Sequence, residues 1–467
     1  MNDNLPTCST ENRTSTVIEG GPIDMRVASH SYFACLLLGS FISAYLFYLG
    51  IDIAGAILLA VSWFLVPFLA LNDRISFNGK NLSRTGWVPR IWTWLNAARG
   101  RLRIKDIEQV ETQAIRSLKR GGNIFYRYQT IIRGKSTVFT ISSGGERYRK
   151  LVKSVLSCLP DSVLDNRSIE LRDHLADPRE ILRRADFARI PSVDVLESSD
   201  SAAGIRGRRT NTASYIQSDE EKESLQSLAN ELRLSGYLVQ SLEAFRRALI
   251  LKPADARLLF EFARCLHSFA RVKHDDRLER RAIAALRLSE RRAANDGELL
   301  ARLGEWYFQI GEWKRAGSTF QYISEKVGEN FRSARGMAEI ALREGKIAHV
   351  IHHFSNAVRI AETPSLRRWS KCETDYFTHL NSDEEYMELE IGRINMLETV
   401  DNSRRTSLRI ALFAMPLIII GVSFDDALVA NIGWAIASLS LFVWTALIFG
   451  ARLLGQRIPY DLVESDD

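Results

Sequence analysis

The chain has 467 residues, 46% of them hydrophobic and 25% charged, enough for about three ordinary domains, so no single activity is assigned across its length. Its net charge is +6. Arginines flanking apolar segments account for much of that excess, and aromatic residues interleave little with basic ones outside a repeat core, which disfavours nucleic acid as a partner. Cys8, Cys35, Cys158, Cys265 and Cys372 lie scattered without paired spacing, which argues against a disulfide framework or a zinc knuckle.

In chain order, residues 1–30 read as a polar tail. The apolar block at 31–72 is interrupted at Gly50, Ile51 and Asp52; it predicts two helices of about 20 residues, each able to cross a hydrocarbon layer of about 30 Å. A cleaved signal peptide is not expected, because polar residues come first and no small-residue cleavage site follows a short apolar core. A second block, 406–452, breaks at Asp425 and Asp426 and predicts a short third span and a longer fourth. The result is four transmembrane helices in two hairpins.

Charge orients them. The hairpin tips carry only acids, whereas Arg74, Lys80, Arg84, Arg90, Arg404, Arg405, Arg452 and Arg457 flank the other ends. Positive residues stay inside, so both termini and residues 73–405 are expected in the cytoplasm. The clear span interiors hold no ionisable group, so transport is not expected. Small residues at 433–438, "GWAIAS", suit close helix contact.

Residues 73–160 predict a small α+β domain. In "NIFYRYQTIIR", Ile124, Tyr126, Tyr128 and Ile132 alternate with Arg127, Gln129 and Arg133, the period of a half-buried strand. "RLRIKDIEQVET" and "STVFTI" read as further strands. In "GERYRKLVKSVLSCL", Tyr148, Leu151, Val152, Val155, Leu156 and Leu159 recur at helical spacing. Short strands followed by one amphipathic helix, beside a membrane hairpin, resemble bacterial pleckstrin-homology-like (PH-like) domains; that resemblance implies lipid-headgroup binding or assembly, and a bacterial inner membrane. Trp87, Trp92 and Trp94, with Arg90, Arg99 and Arg101, are the residue types of a bilayer interface, where indoles favour the headgroup zone and arginine the anionic phosphates. The alternative is that these indoles pack in the domain's own core.

Residues 161–221 contain a charged helical stretch, then a polar segment, 190–220, whose composition suits a flexible linker.

In "LGEWYFQIGEWKRAGSTF", Leu303, Gly304, Tyr307, Gly311, Trp313, Ala316 and Phe320, with Leu300 before them, have spacing that resembles the tetratricopeptide repeat (TPR), two antiparallel helices in about 34 residues. Gly345, followed by Phe354 and Ala357, lies one such length onward. Gly236, followed by Ser241, Phe245, Ala248 and Pro253, lies two lengths and an insertion before. Four TPR-like units follow: 222–255, 256–296, 297–330 and 331–364. On this reading Gly304 and Ala316 let helices approach, while Tyr307, Trp313 and Phe320 fill the space between neighbours. Residues 365–405 read as capping and connecting helices, and 453–467 as an acidic tail.

The resemblance implies a concave groove lined by Asn230, Arg233, Arg257, Phe260, Arg264, His267, Glu305, Phe308, Arg332, Arg335 and Arg343. Members that grip acidic peptides use asparagine and basic residues there. Asn230, Arg233 and Arg264 partly match, although the lysines of that clamp are missing. His349, His352 and His353 stand one turn apart or less in "HVIHHF", but no carboxylate or thiol in that stretch completes a metal site. No phosphate loop, nucleophile elbow, zinc-protease or kinase motif occurs, so no enzyme, cofactor or metal is expected.

The fold class expected is therefore a multi-domain membrane protein: a TPR-like α-helical solenoid, a small PH-like α+β domain and four transmembrane helices. The expected function is a membrane-anchored scaffold that recruits protein partners, acidic peptides among them, through the groove. The alternatives are an auxiliary subunit of a membrane enzyme or transporter, in an envelope-polymer or lipid pathway, and a sensor of anionic lipid headgroups.

Overall fold

The computed structural model describes residues 22–27, 30–87, 90, 100–118, 124–135, 137–143, 145–191, 196, 218–455 and 457–460. Two compact units are formed, one from residues up to 36 with 63–371, the other from 37–62 with 372–467.

In the first unit, β1 (Ile23–Arg26), β2 (Arg74–Phe77), β3 (Asn81–Thr85) and β4 (Arg101–Arg103) make one antiparallel sheet in that order. Met25 pairs with Ile75, so β1, which falls in the stretch expected as a polar tail, instead completes the sheet that follows the first apolar block. The pairing is non-local and gives no periodic signal in four residues. A second antiparallel sheet joins β5 (Ile107–Leu118), β6 (Ile124–Gly134) and β7 (Val138–Ser142). Tyr128, Thr130 and Ile132 point into the core from β6, while Arg127 and Arg133 stay exposed. Helix α3 (Gly145–Ser157) buries Tyr148, Leu151, Val152, Val155 and Leu156 against both sheets.

Between α3 and the repeats lie α4 (Asn166–His174) and α5 (Pro178–Phe187). Asp165 caps α4, accepting from Ser168 N at 2.8 Å, and Asp177 caps α5, accepting from Arg179 N. Such caps satisfy amides that a helix start leaves open. The segment expected as a flexible linker falls almost wholly outside the described residues.

Four helix pairs follow: α6 (Ser218–Ser235) with α7 (Leu238–Leu251), α8 (Ala256–Lys273) with α9 (Asp276–Arg292), α10 (Gly297–Ile310) with α11 (Trp313–Tyr322), and α12 (Phe331–Arg343) with α13 (Ile347–Ile360). Short turns make each pair antiparallel, and successive pairs stack into a TPR-like solenoid. The turns at Gly236, Gly311 and Gly345 have φ of 91°, 90° and 72°, a region glycine enters without a Cβ penalty. The Phe320 ring is the tightest packing device: a Cβ on Gly304 would lie 2.5 Å from it, and one on Gly336 2.4 Å. Tyr307 and Ala316 are fully buried. Trp313 departs from the expected role, being 41% exposed with Arg343 stacked 3.3 Å over its ring. It opens α11, so its indole lies on the helix's outer end rather than between helices.

In the second unit, the part of α14 (Pro364–Ser382) from Cys372 onward leads to α15 (Glu384–Ser423) and α16 (Ala427–Leu454); α1 (His30–Tyr48) and α2 (Asp52–Asn72) contribute their tip-side halves. The connector and third apolar segment, expected as separate elements, form one 40-residue helix through Pro416. Three helices, Asp52–Asn72, Glu384–Ser423 and Ala427–Ile448, are long and apolar enough to cross a membrane, and Tyr32–Tyr48 is a shorter apolar helix. Residues Val61–Leu65 of α2 form a π turn just before Pro67, whose ring would clash with the carbonyl four residues earlier and which has no N–H to close an α turn. Ser43 Oγ donates to Gly55 O at 2.6 Å between α1 and α2. Trp434 on α16 meets Phe41, Tyr45 and Tyr48 with ring centroids 5.1, 5.4 and 5.8 Å away.

Candidate functional site

The concave face expected to await an acidic partner is occupied by the chain itself. Helix α4 lies in it, with Asn166, Ser168, Ile169, Glu170 and Leu171 buried. Glu170 is the centre of the arrangement. Its carboxylate pairs with Arg264 from α8 and with Arg233 Nη2 from α6 at 2.8 Å. Arg264 is 1% exposed, its guanidinium 4.3 Å from the Trp306 ring centroid and 5.2 Å from that of Phe260. Burial, reinforced by Arg302 and Arg167, lowers the Arg264 pKa well below its ordinary value, with Asp165 and Glu305 acting against it.

Further along the groove Arg302 Nε donates to Asn166 Oδ1 at 3.0 Å, and Asn166 Nδ2 returns a bond to the Arg302 carbonyl at 3.2 Å. Arg332 donates to both oxygens of Glu305 at 3.0 and 2.9 Å, to the Leu164 carbonyl at 2.7 Å and to that of Asp161. Asn230 donates to Glu261 at 2.7 Å. His267 Nε2 lies 3.3 Å from Glu279 and edge-on to Trp306. Arg335 bonds Glu339 at 2.8 Å and lies over Trp369. Phe260 is fully buried and Phe308 half-buried in the core of the third pair. Arg257 and Arg343 are exposed.

The expected groove residues therefore divide. Arg233, Arg264 and Arg332 converge on residues 161–170, with Glu305 paired to Arg332; Asn230, Phe260, His267, Phe308 and Arg335 contact neighbouring repeat residues; Arg257 and Arg343 stand outside. The carboxylate that Arg233 and Arg264 meet is that of Glu170. A buried charge needs a partner at hand, so the groove docks the β-rich part of its own unit. Tyr128 on β6 adds a bond to Leu234 O at 2.6 Å, and Arg368 pairs with Asp106 at 3.1 Å. Sequence reasoning placed Glu170 only in a charged helix. Asn166 and Arg302 carried no signal, because their partners are remote in sequence.

At the interface expected on the β3–β4 connection, Trp87 is 61% exposed, so it is not a core residue, and Arg90 and Arg101 are exposed too. Trp92, Trp94 and Arg99 lie outside the described residues. His349, His352 and His353 line a cleft between α11, α12 and α13, opposite Glu325 and Glu329. Among the described residues, no group of three or more His, Cys, Asp or Glu side chains could hold a metal ion.

No family model and no curated protein matches the chain. Among solved structures it is similar to TTC0263, a thermophilic TPR protein of Thermus thermophilus, at 18% identity and TM-score 0.27, over 32% of this chain and 80% of that one. It is also similar to a chain of the APC/C hetero-tetramer Cut9–Hcn1, at 13% identity and TM-score 0.29, over 64% of this chain and 52% of that one, about half its length. At these TM-scores neither likeness adds to what the helix pairs themselves establish.

Proposed function

We propose that the chain is a membrane-anchored scaffold whose helical array presents its outer surface to protein partners, with no chemistry of its own. One observation carries the reading: a solenoid of helix pairs shares a chain with three helices long and apolar enough to span a bilayer. A stacked array offers broad, rigid surface built from neighbouring repeats. The occupied concave groove directs recognition to the convex side and the edges. Positive residues flanking the apolar segments favour a cytoplasmic array, and the strands with α3 would act as a PH-like spacer beside a bacterial inner membrane, with Trp87, Arg90 and Arg101 toward anionic headgroups.

Alkaline carbonate extraction of membranes carrying the full chain should leave it in the pellet; release into the supernatant would refute the anchor. Photo-crosslinking in intact membranes should then yield discrete protein adducts through the array, and their absence would refute the scaffold.

A further inference from the structure

Helix α9 shows a single sign of charge along its outer face. Its six arginines, Arg277, Arg280, Arg281, Arg287, Arg291 and Arg292, are all exposed. At about 100° per residue they fall, with Ala284 and Leu288, in one stripe roughly 140° wide. The opposite face buries Ala282, Leu286 and Ser289.

The helix's own acids do not neutralise this stripe. Glu279 turns to His267, and Glu290 accepts from Thr319 at 2.8 Å and Tyr307 at 3.1 Å. Asp276 sits in the first turn, where a carboxylate complements the helix dipole. Among the described residues none of the six guanidinium groups forms an ion pair; Arg280 Nε donates to Asp276 O at 3.3 Å and Arg292 to Pro253 O. Arg277 with Arg280, Arg277 with Arg281 and Arg287 with Arg291 are like charges at helical-neighbour spacing, an arrangement that opposes the helix. The contrast with Arg233, Arg264, Arg302 and Arg332, each held by an acceptor, is plain.

We propose that the outer face of α9 docks an acidic helical segment of a partner protein, its carboxylates at i, i+3 and i+4 meeting the arginine pairs. This deepens the scaffold reading and rests on it. The occupant follows from charge complementarity and shape. From Arg277 to Arg292 the stripe runs about 22 Å along one rigid helix, the length of a partner helix of about four turns. Every basic residue on the stripe is arginine, whose planar fork takes a carboxylate in two parallel bonds. Leu288 is the sole large apolar side chain on it, 41% exposed, which is too little for a helix that lies in a bilayer surface. No aromatic ring on the stripe offers a base a stacking platform.

The test uses the full chain in non-ionic detergent and a fluorescein-labelled peptide of alanine with glutamate at i, i+3 and i+4, read by anisotropy. The variant combines Arg277→Glu, Arg280→Glu, Arg287→Glu and Arg291→Glu. A control of equal charge change combines Arg147→Glu, Arg179→Glu, Arg183→Glu and Arg367→Glu, all exposed elsewhere. The wild type should bind, and more weakly as salt rises; the α9 variant should bind about tenfold less tightly and the control within about twofold of wild type. The same four positions changed to Gln, with unchanged circular dichroism, separate lost charge from lost fold and should also weaken binding. Equal losses in variant and control overturn the proposal, as does no binding by the wild type. So does displacement of the peptide by oligouridylate or short-chain phosphatidylserine more readily than by the unlabelled peptide. In membrane crosslinking, adducts that persist in the α9 variant overturn this surface alone, whereas a wild type without adducts overturns the scaffold itself.

Discussion

Glu170 Oε2 lies 2.8 Å from Arg233 Nη2, and both side chains are more than nine-tenths buried. With Arg264 on the other oxygen, one carboxylate from α4 holds two helices of the array. Arg233, Arg264 and Arg332 thus serve an internal contact, whereas the exposed arginines of α9 form the surface proposed for a partner.

Glu170→Gln should destabilise the chain by about 3–5 kcal/mol, because it takes from Arg264, buried beneath Trp306, the carboxylate paired with it. Urea unfolding of the detergent-solubilised chain reads this directly. A loss below about 1 kcal/mol, the range of an exposed ion pair, would show that the clamp does not hold α4 in place.

Gly336→Ala and Gly304→Ala each place a methyl group within 2.5 Å of the Phe320 ring. Overpacking of this kind costs about 1–3 kcal/mol. Combining either with Phe320→Leu should recover part of that loss, since the smaller side chain makes room. Additive losses would mean the ring is free to move aside. Trp313→Ala, at the half-exposed position, should cost less than either.

Burial pushes the His174 pKa down to about 4 from its ordinary 6.5, with Arg233 and Arg302 acting the same way and Asp173 against. Between those two pH values the unfolded chain binds a proton that the folded chain does not. Stability therefore falls as pH drops through this window, by roughly 2–3 kcal/mol from this residue. Asp165 has a pKa raised by burial, so its protonation favours the fold and offsets part of the loss at the acid end. Thermal midpoints measured from pH 7 to 4 should fall less steeply in His174→Gln; an unchanged slope would remove His174 as the cause.

Gly421 on α15 is so close to α16 that a Cβ would lie 2.3 Å from Ala430 N. Gly421→Val should force these helices apart and lower the midpoint of thermal unfolding in detergent by several degrees. Gly392→Ala, on the same helix with nothing within 4 Å, should leave it unchanged or raised, as alanine favours the helix by up to about 1 kcal/mol. Equal midpoints in the two variants would show that α15 and α16 are not held at Gly421.

What the sequence determined by itself is whatever depends on neighbours in the chain. The spacing of Gly304, Tyr307, Gly311, Ala316 and Phe320 specifies a packed helix pair, because period and turn chemistry act over a few residues. The stripe from Tyr148 to Leu156 specifies α3 by the same reasoning, and uninterrupted apolar length marks the membrane candidates. The tertiary structure alone decided which charges meet. Glu170 and Arg264 are 94 residues apart, and neither periodicity nor composition joins them; burial does, because a charge removed from water must find its complement there. The same holds for β1 against β2, for Trp313 at the surface and for α9, whose arginines look like the groove's in sequence but stay exposed and form no ion pair among the described residues.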